Sequence, residues 1–128
     1  MAVMIILGAA SFEDAPSSVA AARRFVRDML PMTGPAVDDI ELITSELVTN
    51  AVQHGGAGGI GVRVAGDETA LRVEVSDSGS GRLPRPGVSG DGERGRGLLH
   101  VEALSERWGV RESSAGITVW AEIRRPAL

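Results

Sequence analysis

A chain of 128 residues with a formal net charge of -4 fits one domain that can bury a core without metals or crosslinks. It has no cysteine, which excludes disulfides and thiolate metal sites, and its 13 basic residues are all arginine, which excludes a P-loop and a Schiff-base lysine. The acidic balance argues against a general nucleic-acid binder. The apolar start is too short for a membrane span or a secretory signal, so a cytoplasmic protein is predicted.

The first 54 residues predict one strand and two helices. The opening AVMIILGAA predicts the strand. Asp14 and Pro16 are typical of a helix start, and apolar residues at three- and four-residue spacing continue that helix to about Leu30. A second helix is predicted over Ala36–His54, with acidic residues in its first turns and a glycine stop after it. The expected core stripes are Val19, Ala22, Phe25, Val26 and Met29, then Val37, Ile40, Ile43, Leu47, Val48 and Ala51.

The rest of the chain predicts a hairpin, a long loop, a short helix and two more strands. Apolar and polar residues alternate over 60–65 and 71–75, on either side of a Gly66-Asp67 turn. A helix over 97–106 and strands over 108–111 and 117–123 follow, with Trp108 and Trp120 expected in the core. There is no internal repeat and no linker, so residues 1–128 are predicted to form a single domain.

The loop over residues 78–95 is too long for an ordinary connection, and loops of this length are functional or disordered. Together with the residue that follows it, it holds four arginines against two acidic residues. Such a segment could close over an anion, or it could be a solvated surface loop.

Two side chains on the second helix suit a magnesium-bound phosphate. Glu46 and Asn50 are four residues apart, so they project from the same face of the helix. The Asn50 amide oxygen is a ligand that Mg2+ accepts, and the Glu46 carboxylate could act as a general base. Taken alone, the same pair is also typical of an exposed helix face.

Two glycine-bearing segments could complete a nucleotide site. Asp77 ends an apolar strand and could accept a hydrogen bond from an exocyclic amine, while Gly79 and Gly81 let the backbone pass close to a base. Gly95-Arg96-Gly97 opens a helix whose first amides could bind phosphate. An ordinary turn and an ordinary helix boundary are the alternatives.

In this order and at these spacings, ELVTNAVQHG, DSGSG and GRGLLHV resemble the nucleotide site of the GHKL ATPase superfamily, whose ATP-binding domain is the Bergerat fold. Within that superfamily, the chain is most similar to the small bacterial anti-sigma factor serine kinases. The resemblance implies an α+β fold, in which a mixed, mainly antiparallel sheet carries helices on one face as a two-layer sandwich.

The resemblance also implies a role for each matching residue. Glu46 would be the general base, Asn50 the magnesium ligand and Asp77 the partner of adenine. Thr118, in the segment ITVW, matches a position whose hydroxyl helps to hold adenine. Residues 78–95 would be the ATP lid. The base pocket would be lined by Gly79 and Gly81, and the phosphates would meet Gly95, Arg96, Gly97 and Leu98.

The implied function is an ATP- and Mg2+-dependent kinase that phosphorylates a serine of an anti-sigma factor antagonist and sequesters a sigma factor, commonly as a homodimer. No direct nucleic-acid or membrane partner is expected. A non-catalytic module, in which bound ATP shapes a surface for a protein partner, is the alternative. A Pro-rich stretch after Arg82 departs from the family pattern and bears on turnover rather than on binding.

Overall fold

A computed structural model describes residues 3–54, 58–78 and 99–125. In that part of the chain, five strands and two complete helices follow one another, and residues 99–104 form a further helical segment. The elements in chain order are β1 (Ile5–Phe12), α1 (Ser18–Met29), α2 (Pro35–His54), β2 (Ile60–Gly66), β3 (Ala70–Asp77), β4 (Arg107–Ser113) and β5 (Gly116–Arg124).

The five strands form one sheet in the order β1-β2-β3-β5-β4. Every neighbouring pair is antiparallel, so the sheet has no parallel pair among the described strands. The predicted α+β fold class is confirmed, and the sheet is antiparallel throughout rather than mixed.

The core lies between one face of this sheet and the two helices. The predicted stripe of α2 is confirmed, because all six of its residues are buried. In α1, Ala22 and Val26 are fully buried, and the other three predicted positions pack partly buried against them. The sheet contributes alternate residues of its central strands to this core: Val62, Val64, Leu71, Val73, Val75, Val119, Ala121 and Ile123.

The start of α1 differs from the prediction. The helix begins at Ser18 rather than at the Asp14 and Pro16 signal, and no side chain caps it. The chain first makes a turn, in which the Ser18 amide donates to the Ala15 carbonyl at 2.9 Å and the Ser18 hydroxyl donates to the Glu13 carbonyl at 2.5 Å. These bonds satisfy backbone groups outside the helix and delay its first turn.

An ion pair connects the two helices. The Arg27 guanidinium of α1 donates to the carboxylate of Glu41 in α2 and to that of Asp38 at 3.2 Å. Glu41 is 8% exposed, and its pairing with Arg27 offsets the cost of burying its charge. The hydrogen bond to Glu41 raises the pKa of Arg27 above its usual value. The pair fixes α2 against α1, which positions the face of α2 that carries Glu46.

Candidate functional site

Glu46 and Asn50 lie on one edge of α2, beside its buried stripe. Both are half-buried, in contrast to their neighbours Leu47 and Ala51, which are in the core. Helical spacing puts their side chains one turn apart on the same face. The helix therefore offers a carboxylate and a carboxamide side by side at the border between core and solvent.

The helical segment at 99–104 lies next to this face. Val101 is fully buried and anchors the segment in the core, and His100 Nδ1 lies 3.3 Å from Glu46 Oε1. The His100 side chain is 61% exposed, and residue spacing did not predict its contact with Glu46. The contact places the residues that follow the GRGLL segment beside the predicted general base.

Asp77 is the last residue of β3 and points toward the helices. Alternation along the strand puts it on the same face as the buried Val73 and Val75, where it is half-buried. Its partner across the ladder to β5 is Ile117, which is buried. Asp77 therefore lies on the helix side of the sheet, the side on which α2 carries Glu46.

Gly116 fixes the backbone at Asp77. Its φ is 141°, and a Cβ atom built at this position would lie 2.0 Å from the Asp77 carbonyl oxygen. Only glycine allows such a close approach with this φ. Sequence reasoning missed Gly116, although a glycine directly before a strand is a signal of this kind.

Thr118 lies on the opposite face of the sheet. It pairs with Ser76 across the ladder, and the two hydroxyl oxygens are 2.7 Å apart. Because successive residues of a strand point to opposite faces, Thr118 and Asp77 are separated by the sheet. The structure places Glu46 and Asp77 on the same side of the sheet and Thr118 on the other side.

The other predicted site residues lie outside the described residues. These are Gly79, Gly81, Gly95, Arg96, Gly97 and Leu98, together with all of the predicted lid after Ser78.

The residues present fit a magnesium ion that is held mainly by phosphate and water. Among the described residues there is no group of three or more His, Asp or Glu side chains that could hold a metal ion. Mg2+ at phosphate sites usually takes only one or two protein oxygens, and the half-buried Asn50 can supply one.

Within 3–54, 58–78 and 99–125, no helix is long and apolar enough to cross a membrane. The predicted cytoplasmic location stays a prediction.

Residues 12–123 match the family model of the histidine kinase-like ATPase domain. No curated protein matches the chain. Its fold is similar to the crystal structure of the RsbU and RsbW domains of Rv1364c from Mycobacterium tuberculosis, with a TM-score of 0.70 and 24% sequence identity. That match covers 98% of this chain but only 34% of the other, so the chain spans about a third of that protein's length. The chain belongs to the histidine kinase-like ATPase domain family, and the resemblance to the GHKL superfamily is confirmed.

Proposed function

We propose that this ATP-binding domain transfers the γ-phosphoryl group of ATP to a serine of a regulatory protein. The observation that carries the proposal is the pairing of Glu46 with Asn50 on the edge of α2, beside the segment that follows the predicted phosphate loop. A carboxylate and a carboxamide one turn apart can serve a hydroxyl nucleophile and a phosphate-bound cation at once.

Three of the predicted site residues that the structure describes have a role in this proposal. Asn50 offers its amide oxygen to Mg2+, which neutralises phosphate charge when it is bound. Glu46 accepts the proton of the serine hydroxyl as the serine oxygen bonds to the γ-phosphorus and the bond to the departing ADP breaks. Asp77 accepts a hydrogen bond from the amino group of adenine, which favours ATP over GTP.

The remaining roles rest on the resemblance alone. We propose that Gly79 and Gly81 line the base pocket, and that Gly95, Arg96, Gly97 and Leu98 meet the phosphates. The predicted adenine contact of Thr118 is left out of the proposed site, because the sheet separates its hydroxyl from Asp77.

The proposed partners are an anti-sigma factor antagonist, which supplies the serine, and a sigma factor. The resemblance of ELVTNAVQHG and GRGLLHV to the small anti-sigma factor kinases supports them, as does the fold shared with a structure that contains an RsbW domain. A homodimer in the cytoplasm is part of the same proposal.

A non-catalytic ATP-binding module is the second candidate. It is favoured by the contact between His100 and Glu46, because a serine hydroxyl would have to displace this contact to reach Glu46 Oε1. In this case bound ATP would shape a surface for a protein partner, and no phosphoryl group would be transferred.

Labelled ATP and a cognate antagonist distinguish the two candidates. The kinase proposal expects label on a serine, and it expects Glu46→Gln to abolish labelling while ATP still binds in calorimetry. Glu102→Gln is the matched control, because Glu102 is an exposed carboxylate on the neighbouring helical segment. ATP binding without labelling would support the second candidate, and unchanged labelling by Glu46→Gln would remove Glu46 as the base.

Nucleotide selectivity tests the role of Asp77 separately. Asp77→Ala is expected to weaken ATP binding most strongly and to narrow the difference between ATP and GTP. Equal affinity of the wild type for ATP and GTP would contradict the assignment.

A further inference from the structure

The side of the sheet that faces away from the helices, here called the open face, carries most of the charge of the strands. Ladder register puts Arg63, Glu74 and Trp120 in one row across it, and Arg72, Glu122 and Arg107 in the next. Arg111 extends the row of Ser76 and Thr118. None of these residues belongs to the buried cluster between sheet and helices.

The charges on the open face do not balance. Its central part has four arginines, at 63, 72, 107 and 111, and two glutamates, at 74 and 122, which leaves a surplus of two positive charges on a chain whose net charge is -4. A single carboxylate, Glu74, lies within 4.0 Å of three of these guanidinium groups. The guanidinium groups in this part of the open face therefore outnumber the carboxylates that pair with them.

The carboxylates of this part of the open face are less exposed than three of its four guanidinium groups. The glutamate side chains at 74 and 122 are only 13% and 5% exposed, while those of Arg63, Arg107 and Arg111 are 51%, 70% and 56% exposed. A molecule that approaches this face meets guanidinium groups first. Each guanidinium has five N–H donors, so the existing ion pairs leave donors for a further acceptor.

A groove of about 340 Å3 runs between the guanidinium groups of Arg63 and Arg111. Small residues from three adjacent strands line this groove: Ala9, Ser11, Gly61 and Ser76. Thr118 and Ser76 place two hydroxyl groups in it, and Arg63 and Arg111 also line it. A groove with hydroxyls and two guanidinium groups suits an extended peptide segment that carries carboxylates.

We propose that the open face is a docking site for an acidic polypeptide segment of a protein partner, with Arg63 and Arg111 binding its carboxylates. A protein suits the groove better than a nucleic acid. A nucleic acid needs basic side chains along a run of phosphates, and the central part of the open face has a surplus of only two positive charges on an acidic chain. The site lies across the sheet from Glu46 and Asp77, so it is independent of the nucleotide site.

The test measures the binding of a fluorescein-labelled peptide of alternating Glu and Ser by fluorescence anisotropy at low salt. The wild type is expected to bind it, and a peptide with Gln in place of Glu is expected not to bind. Charge reversal by Arg63→Glu with Arg111→Glu is expected to weaken binding at least about tenfold, because like charges repel across an interface. Amide resonances of Gly61, Ser76 and Thr118 should shift when the peptide is added.

The matched control is Arg23→Glu with Arg24→Glu, which makes the same change of charge on the exposed side of α1. An equal loss of affinity in this control would mean that only net charge matters, and it would overturn the proposal. So would an absence of peptide binding, resonance shifts confined to the helices, or tighter binding of a thymidine oligonucleotide. If charge reversal next to Glu74 prevents folding, Arg63→Gln with Arg111→Gln makes the same comparison without adding negative charge.

Discussion

Gly116 holds the end of the strand that carries Asp77. A Cβ atom there would lie 2.0 Å from the Asp77 carbonyl oxygen, so Gly116→Ala must displace the end of β3. We expect a loss of about 1–3 kcal/mol of unfolding free energy from the strained backbone, together with weaker ATP binding. Urea unfolding and calorimetry measure the two effects.

Gly34→Ala is the control for this change. Gly34 also has a positive φ, of 112°, but nothing lies within 4 Å of its Cβ position. It therefore carries the cost of the backbone conformation without the clash. If both variants lost the same stability, and neither lost affinity for ATP, the close approach at Asp77 would have no role in the site.

Residue spacing predicted some of the site and could not predict the rest. Glu46 and Asn50 share a helix face because of a fixed local geometry, which any sequence reveals. The contact of His100 with Glu46 joins residues 54 positions apart and depends on how two helical segments pack. The separation of Thr118 from Asp77 depends on the register between β3 and β5, where a shift of one residue changes the face.

The turn between β2 and β3 is closed by one carboxylate. Asp67 Oδ1 accepts bonds from the amides of Thr69 and Ala70, each at 2.8 Å, and from the Thr69 hydroxyl at 3.0 Å. The bond from the Thr69 amide is the main cause that lowers the pKa of Asp67 below the ordinary value of 3.8. The charged form therefore stabilises the hairpin above pH 3.8, and this contribution is lost as the pH falls through the lowered pKa.

Asp67→Asn tests this linkage. The variant should melt at a lower temperature than the wild type at neutral pH, because the neutral amide accepts these bonds less strongly. The difference between them should shrink as the pH falls from 3.8 through the lowered pKa of Asp67, because the wild type then also becomes neutral. Thermal unfolding followed by circular dichroism over this pH range measures it. Glu68→Gln changes the exposed neighbour and should show no such convergence, and a constant gap between Asp67→Asn and the wild type would contradict the mechanism.

Whole elements were easier to predict than their ends and faces. Apolar periodicity predicted α2 to within one residue of its observed start, together with its complete buried stripe. The predicted core position of Trp120 was wrong. Trp120 lies on the open face, with the Arg72 guanidinium carbon 4.3 Å from its ring centroid. The sequence alone favours a core position for a tryptophan in a strand. The face on which Trp120 lies is decided by the register between β4 and β5, which pairs Trp120 with Gly109, and the Trp120 ring packs against that glycine.

The molecule uses the two faces of one sheet differently. One face packs against α1 and α2, and Asp77 lies half-buried at the end of β3 on this side of the sheet. The other face carries a network of ion pairs between arginine and glutamate side chains, in place of a second helical layer. The resemblance predicted the two-layer architecture. The network could not be predicted, because it depends on the strand order β1-β2-β3-β5-β4, which places distant arginines and glutamates side by side.

Glu122 is the most buried carboxylate of this network, with 5% of its side chain exposed. It accepts bonds from Arg72 at 2.9 Å and from Arg107 at 2.5 Å. Glu122→Gln should lower the unfolding free energy by about 1–3 kcal/mol in urea titrations, because a neutral amide in this buried position pairs less strongly with the partly buried Arg72 guanidinium. It should leave ATP affinity unchanged, since Glu122 lies on the face opposite Asp77. Glu106→Gln removes the exposed partner of Arg124 and should change stability little. Equal losses of stability in the two variants would contradict the role of burial, and a loss of ATP affinity in Glu122→Gln would show that the two faces of the sheet are not independent.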